Sequence, residues 1–222
     1  MSRCSTCWVT GGFRQLDLMV DSRVLIPRPE TESVVDVCLA ELDRLGGRDL
    51  PTTVVDLGTG SGAIALAVAT ERVRTTVWAT DESEDALGVA RANLAGVGRA
   101  AARVRMVAGD WYTALPTDLA GSVQVLVSNP PYVAETAELP AEVADWEPSG
   151  ALRSGPDGLD DLRRIIAGAL DGSKPTARWC ARSHPSRPAR SPSLRRAASA
   201  KCVSRSDLTG RSRALVARRP ID

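Results

Sequence analysis

Four short runs rich in β-branched and apolar residues stand out along the chain. They are "TVVDL" (53–57), "TTVWAT" (75–80), "RVRMVAG" (103–109) and "SVQVLVS" (122–128). Each has the length and composition of a strand buried on both faces. Between and around them apolar residues fall at helical spacing: Val34, Val35, Cys38, Leu42 and Leu45, then "AIALAVAT", then Ala86, Leu87, Ala90 and Leu94, and last Leu159, Leu162, Ile165, Ile166 and Leu170. Helix signals agree with the periods. Gly46-Gly47 stops the first helix, and Ser83 is a good N-cap with Glu84 and Asp85 in the first turn. Strands alternating with helices predict an α/β fold with a mostly parallel sheet and helices on both faces. Ahead of it, "LDLMVDSRVLI" (16–26) reads as two short strands around a turn at Asp21-Ser22, a small β-hairpin. The prolines of "PRPETE" (27–32) hold the backbone extended and then allow a helix to start.

The pattern stops at 172–206, where no period of 2 or 3.6 survives and prolines stand at 175, 185, 188 and 192. The sheet still needs a strand there to cover the helix at 158–170. Residues 172–220 hold thirteen Lys/Arg and one acid, whereas residues 1–171 hold fifteen Lys/Arg and twenty-five acids. One reading is a disordered basic tail. The other is a segment translated out of frame, since Arg, Pro, Ser and Ala dominate shifted frames of GC-rich codons. Patterning returns at "DLTGRSRALVARR" (207–219), which favours the second reading. The chain thus divides into an N-terminal segment (1–32), a core (33–171), an irregular basic segment (172–206) and a terminal strand (207–222).

The remaining totals exclude more than they suggest. Hydrophobic residues make up 43% and charged residues 25% of 222, an ordinary globular balance with a net charge of +1. That charge gives no global argument for nucleic acid or membrane. No apolar run reaches membrane-spanning length and no signal-peptide pattern opens the chain, so a cytoplasmic protein is expected. The five cysteines (Cys4, Cys7, Cys38, Cys180 and Cys202) are odd in number and irregular in spacing, which argues against a disulfide framework. Cys38 reads as a small core residue.

Candidate chemistry gathers at the ends of the strands. Gly58-Thr59-Gly60-Ser61-Gly62 lies between a strand and a helix, where a bare backbone can approach a ligand and aim N–H groups at it. Asp81 ends the next strand, 21 residues past Gly60, where a ribose-binding acid is expected. The pair indicates an adenosine-containing cofactor without specifying which; the bland alternative is a tight turn plus a surface Asp. Trp111, after Asp110, could flank an adenine or could pack at a sheet edge. Asn129-Pro130-Pro131-Tyr132 follows the fourth strand, at the end where open α/β sheets bind ligands. The Asn129 side-chain oxygen and the Pro130 carbonyl are two acceptors at fixed spacing, suited to a planar NH2 group. Tyr132 can stack on a flat π-system. Holding a nitrogen in one direction serves methyl transfer, whereas hydride transfer has no use for it.

With these residues in view, "DLGTGSG", Asp81 and "SNPPY" resemble the S-adenosylmethionine-dependent class I methyltransferases (Rossmann-like fold) that act on planar nitrogens. "VLIPRPETE", "GDWY" and "WEPSGALRSGPDGLDDLRRII" narrow the resemblance to the release factor glutamine N5-methyltransferases, the HemK-type enzymes. The likeness covers residues 9–170 and resumes at 207–219. It implies that Gly58, Thr59, Gly60, Ser61 and Gly62 cradle the methionine part of S-adenosyl-L-methionine. Asp81 would bind the ribose and Trp111 flank the adenine. Asn129, which would also contact the cofactor, and the Pro130 carbonyl would hold the glutamine amide of a peptide chain release factor, in a slot shaped by Pro131 and Tyr132. Residues Arg28 to Glu32 would close one side. No metal and no strong base are implied, and His184, the one histidine, lies in the patternless segment.

Two departures qualify the resemblance. The family carries a helical N-terminal domain, but about eight residues precede the matching region here. Loss of the strand within 172–206 would leave one face of the 158–170 helix uncovered and put folding, and so activity, at risk. Two competing functions follow: a nucleic-acid adenine methyltransferase using the basic 172–220 segment on phosphates, or an inactive relative that at most binds the cofactor.

Overall fold

The computed structural model describes residues 9–46, 48–119, 121–170, 178–182, 201–206 and 212–218. The chain opens with an antiparallel hairpin, β1 (Val9–Phe13) and β2 (Leu16–Val20), followed by a short 3-10 helix (Pro29–Thr31) and α1 (Glu32–Gly46). Next come β3 (Thr52–Leu57), α2 (Ala63–Glu71), β4 (Thr75–Asp81), α3 (Glu84–Gly96), β5 (Val104–Ala108) and β6 (Val125–Ser128). After β6 lie the one-turn α4 (Ala141–Ala144), α5 (Asp160–Leu170), β7 (Arg178–Arg182), β8 (Lys201–Ser206) and β9 (Ser212–Arg218). The large sheet runs β5-β4-β3-β6-β7-β9-β8.

The strand order determines where a ligand can sit. From β3 the chain moves outward through β4 to β5, then returns to place β6 on the other side of β3. All these pairings are parallel. The reversal makes a switch point between β3 and β6, and the crevice lies beyond their carboxyl ends. Leu57 pairs with Ser128, so the Gly loop and the NPPY loop leave the sheet side by side. Ser128 Oγ donates to the Leu57 carbonyl at 2.7 Å and pins the two exits together.

Two layers of side chains cover the sheet. On one face α1 (Val34, Val35, Cys38 and Leu42) and α2 (Ala65 to Ala69) bury against Val54, Val77, Val125 and Val127. On the other, α5 sets Leu162, Ile165 and Ile166 against Val55, Leu57 and Leu126. Burial of such side chains contributes about 1.5–3 kcal/mol each. Tyr112 completes that face by donating from its hydroxyl to the Ile165 carbonyl at 2.7 Å.

Three expectations need correction. The hairpin is present, but one element earlier in the chain than expected. Its partner strand is Val9–Phe13, whose Gly11 and Gly12 obscure the strand signal, and it turns at Arg14-Gln15. Residues 21–26 form no strand. The Asp21 carboxylate accepts from the Arg23 N–H at 3.0 Å and the Asp21 carbonyl from the Val24 N–H at 3.2 Å, which curls the chain there. The α5 helix is not left uncovered, because Ile165 and Ile166 are 0% and 1% exposed against β3 and β6. The patternless segment also supplies two strands, β7, which lies parallel to β6, and β8; β9, beyond the segment, pairs antiparallel with both. Cys4, Cys7 and His184, with the rest of 172–206, lie outside the described residues. Among the described residues, no helix is long and apolar enough to cross a membrane.

Candidate active site

A cavity of about 360 Å³ opens at the switch point. That volume is within the range of small-molecule sites. Gly58, Thr59, Gly60 and Ser61 line it from the loop after β3. Asp81 and Trp111 line it from the ends of β4 and β5, and Asn129 and Pro131 from the end of β6. Asn129 and the Gly loop therefore share one space.

Each lining group is held from behind. The Gly60 N–H donates to Asp81 Oδ2 at 2.8 Å, and the Ser83 N–H to Asp81 Oδ1 at 3.0 Å. Asp81 is thus fixed by two backbone donors, while burial raises its pKa against the lowering effect of those bonds. Each carboxylate oxygen keeps a lone pair for a ligand hydroxyl. The Thr59 N–H donates to the Thr80 carbonyl at 2.9 Å, tying the loop to β4. A Cβ at Gly60 would meet nothing within 4 Å, so this backbone stands open to the cavity. Trp111, with φ 44°, lays its ring against Gly58, where a Cβ would come within 3.0 Å of Cζ3.

Asp56, at the start of "DLGTGSG", holds the loop from beneath. Its Oδ2 accepts from Thr59 Oγ1 at 2.6 Å and from the Ala65 N–H at 3.2 Å. Burial pushes its pKa up to about 7, moderated by those two bonds. On α3, Asn93 donates to the Ser61 carbonyl and the Met19 carbonyl, each at 2.9 Å, and accepts from the Met19 N–H at 2.8 Å. One side chain thereby joins the Gly loop to the hairpin edge.

Two acceptors on lining residues are buried and have no partner among the described residues: Asn129 Oδ1 and Asp110 Oδ1. A buried acceptor without a donor costs roughly 1–3 kcal/mol, which a bound ligand can relieve. Three expected residues do not line the cavity. Gly62 opens α2 and is taken up in packing, since a Cβ there would meet Leu66 and Ala90 at 3.2 and 3.4 Å. Pro130 is buried, and Tyr132 is half-buried with its N–H donating to the Leu152 carbonyl at 3.2 Å.

Other lining residues lay outside the expected set. Arg23, Val24 and Leu25 approach from the chain after the hairpin. Pro148, Gly150 and Ala151 approach from the "WEPSGA" run, and Asp161 and Arg164 from α5. Arg164 forms an ion pair with Asp110. Of the PRPETE stretch, Pro27 and Thr31 reach the cavity.

Known proteins share this fold. The catalytic domain of hMettl16, solved in complex with a MAT2A 3'UTR hairpin, superposes with a TM-score of 0.70 at 15% identity, over 93% of this chain and 77% of that one. A family model described as the methyltransferase small domain matches residues 37–145. The release factor glutamine methyltransferase of Gloeobacter violaceus is 47% identical over 168 residues, which is 75% of this chain and 56% of that protein. Its namesake from Xylella fastidiosa is 46% identical over 174 residues, 78% of this chain and 60% of that protein. The fold is that of these methyltransferase domains. Its sequence is similar to proteins named release factor glutamine methyltransferase. The match spans 56–60% of the length of these two relatives.

Proposed function

We propose that the chain transfers a methyl group from S-adenosyl-L-methionine to the side-chain amide nitrogen of a glutamine in a peptide chain release factor, in the cytoplasm. The observation that carries this reading is Asn129, which lines the cavity with Gly60 and Asp81 and whose buried Oδ1 has no partner among the described residues. The names of the 41–50% identical relatives support it.

The residues present fit the cofactor. Asp81, held by the Gly60 and Ser83 N–H groups, is placed to accept from ribose hydroxyls. The open backbone at Gly60 leaves room for the methionine portion, and Trp111 offers an aromatic face for the adenine. When bound, S-adenosylmethionine supplies an electrophilic methyl on a positively charged sulfur.

The protein acts on the acceptor. An amide nitrogen is a poor nucleophile because its lone pair is delocalised into the carbonyl. Asn129 Oδ1 accepts from one N–H and the carbonyl of Pro130, which lies between the two lining residues Asn129 and Pro131, from the other, which returns electron density to nitrogen and fixes its direction. Pro131 shapes the slot, Pro27 and Thr31 of the PRPETE stretch close one side of it, and Tyr132 backs it through its bond to the Leu152 carbonyl. Orientation of this kind is worth roughly 7–11 kcal/mol where the geometry is well achieved. The N–C bond forms as the S–CH3 bond breaks, S-adenosylhomocysteine leaves as a neutral thioether, and the methylated, then acidic, nitrogen gives up its proton to solvent water, so the step asks for no strong base. Labelled-methyl transfer to a purified release factor tests the assignment. Asn129→Ala should abolish transfer while cofactor affinity changes little; undiminished turnover in the variant would refute it.

A further inference from the structure

The cavity has a wall that the sheet does not build. One part comes from the chain after the hairpin (Leu25, Pro27 and Thr31), the other from the "WEPSGA" run (Pro148, Gly150 and Ala151). These segments are more than a hundred residues apart, and Glu147 joins them. Its side chain is 2% exposed, and its Oε1 accepts from Arg28 Nη2 at 2.6 Å and from the Ile26 N–H at 3.3 Å. The Glu147 N–H donates to the Val143 carbonyl at 3.0 Å, which anchors the residue to the end of α4.

From Glu147 the connection runs on to the NPPY loop. Pro148 follows at once, and its carbonyl accepts from the Ala151 N–H at 3.0 Å in a tight 3-10 turn. That turn delivers Leu152, whose carbonyl accepts from the Tyr132 and Val133 N–H groups at 3.2 and 2.9 Å. Arg28, Glu147, Leu152 and Tyr132 are therefore linked through hydrogen bonds and the 148–152 turn, behind the wall that Pro27, Thr31, Pro148, Gly150 and Ala151 build. A buried carboxylate holds such a position strongly, because separating it from its cation strands a charge out of water.

We propose that Glu147 is a positioning residue for the methyl acceptor. By clasping the PRPETE segment to the 148–152 turn, it sets the width of the slot in which Asn129 grips the amide. This rests on the acceptor being a side-chain amide held at Asn129. The clasp touches none of the groups that fix Asp81 or the Gly loop, so its effect is confined to the acceptor side.

The test compares Glu147→Gln and Arg28→Lys with the wild-type full chain. Glu147→Gln keeps the shape and an acceptor but removes the charge. Three quantities are measured: the Kd for S-adenosylhomocysteine by calorimetry, kcat and KM for a purified release factor, and amide exchange at Tyr132 and Val133. Glu147→Gln should raise the release factor KM at least tenfold, leave the Kd within about twofold, and speed exchange at both amides while β3 and β6 stay protected. Arg28→Lys, which keeps the cation, should recover much of the KM and keeps the test decisive if Glu147→Gln fails to fold. An unchanged KM in Glu147→Gln, or equal losses in KM and Kd, would overturn the clasp. A wild-type chain that binds S-adenosylhomocysteine but methylates no release factor would instead overturn the reading beneath it, and the clasp's role would fall with it.

Discussion

Asn93 offers a sharp test of how the site is held. It is 5% exposed and satisfies three backbone groups at once: the N–H and carbonyl of Met19 and the carbonyl of Ser61. Asn93→Asp keeps the shape and the acceptor but removes both donors, leaving a carboxylate oxygen against two carbonyls. Each buried acceptor left without a donor costs roughly 1–3 kcal/mol, so the loss is about 2–6 kcal/mol before the repulsion of the buried charge is added. Against a total stability of roughly 5–15 kcal/mol that is severe. Asn93→Ala strands the same carbonyls, and the N–H too, but buries no charge, so the near-isosteric Asp should be the more damaging variant at neutral pH. Urea unfolding of both variants at pH 7.5 (about that of a standard assay buffer) measures the order. Because the Ser61 carbonyl belongs to the Gly loop, weaker cofactor binding should accompany the loss. A deficit under about 1 kcal/mol for Asn93→Asp, or Ala the worse of the two, would refute the reasoning.

Asp56 predicts a pH dependence. Its folded pKa of about 7 lies above the ordinary 3.8, so the folded state binds its proton more tightly than the unfolded state does. This contribution is fully present below pH 4 and is lost as pH rises to 7, by roughly 4 kcal/mol in all. Asp56→Asn should therefore gain on the wild type across that interval and level off above it in urea midpoints; parallel curves would contradict this. At Gly158 a Cβ would lie 2.4 Å from the Tyr132 carbonyl oxygen, at φ +73°. Gly158→Ala should cost roughly 2–4 kcal/mol in urea unfolding and impair transfer, whereas Gly121→Ala, with φ +78° and open space, should cost about 1. For residues 172–206 we propose an out-of-frame origin: translating the other two frames of the encoding DNA should reveal a strand-and-helix pattern, and patternless frames would refute it.

The core was legible because its signals are local. Each β-branched run from Thr52 to Ser128 carries its own strand preference, and the Gly loop and NPPY loop mark where those strands end. The parallel order then brings both loops to one crevice without further information. Features that depend on distant partners were not legible. Arg14 is one: its guanidinium pairs with Glu71 and Asp36 while its N–H donates to Glu32 at 2.9 Å, and nothing near residue 14 announces those acids. Asn93 looks like a polar interruption of an apolar face until Met19 and Ser61 are placed beside it. Glu147 stands in the "WEPSGA" run, where nothing names Arg28 as its partner. The hairpin was misplaced because Gly11 and Gly12 weaken the strand signal of β1, whereas the Asp21 turn lies inside an apolar run that looks extended. The strands at 178–182 and 201–206 carry no readable period, and pairing with neighbours is what identifies them.

The central claim is that one cavity presents a methyl donor to an amide held at Asn129. Fragment-ion mass spectrometry of a release factor incubated with the chain and S-adenosylmethionine tests it most directly. The account predicts one added methyl on a glutamine side-chain nitrogen, absent with Asn129→Ala although that variant still binds S-adenosylhomocysteine. A methyl on any other atom, or the same product from the variant, would contradict it.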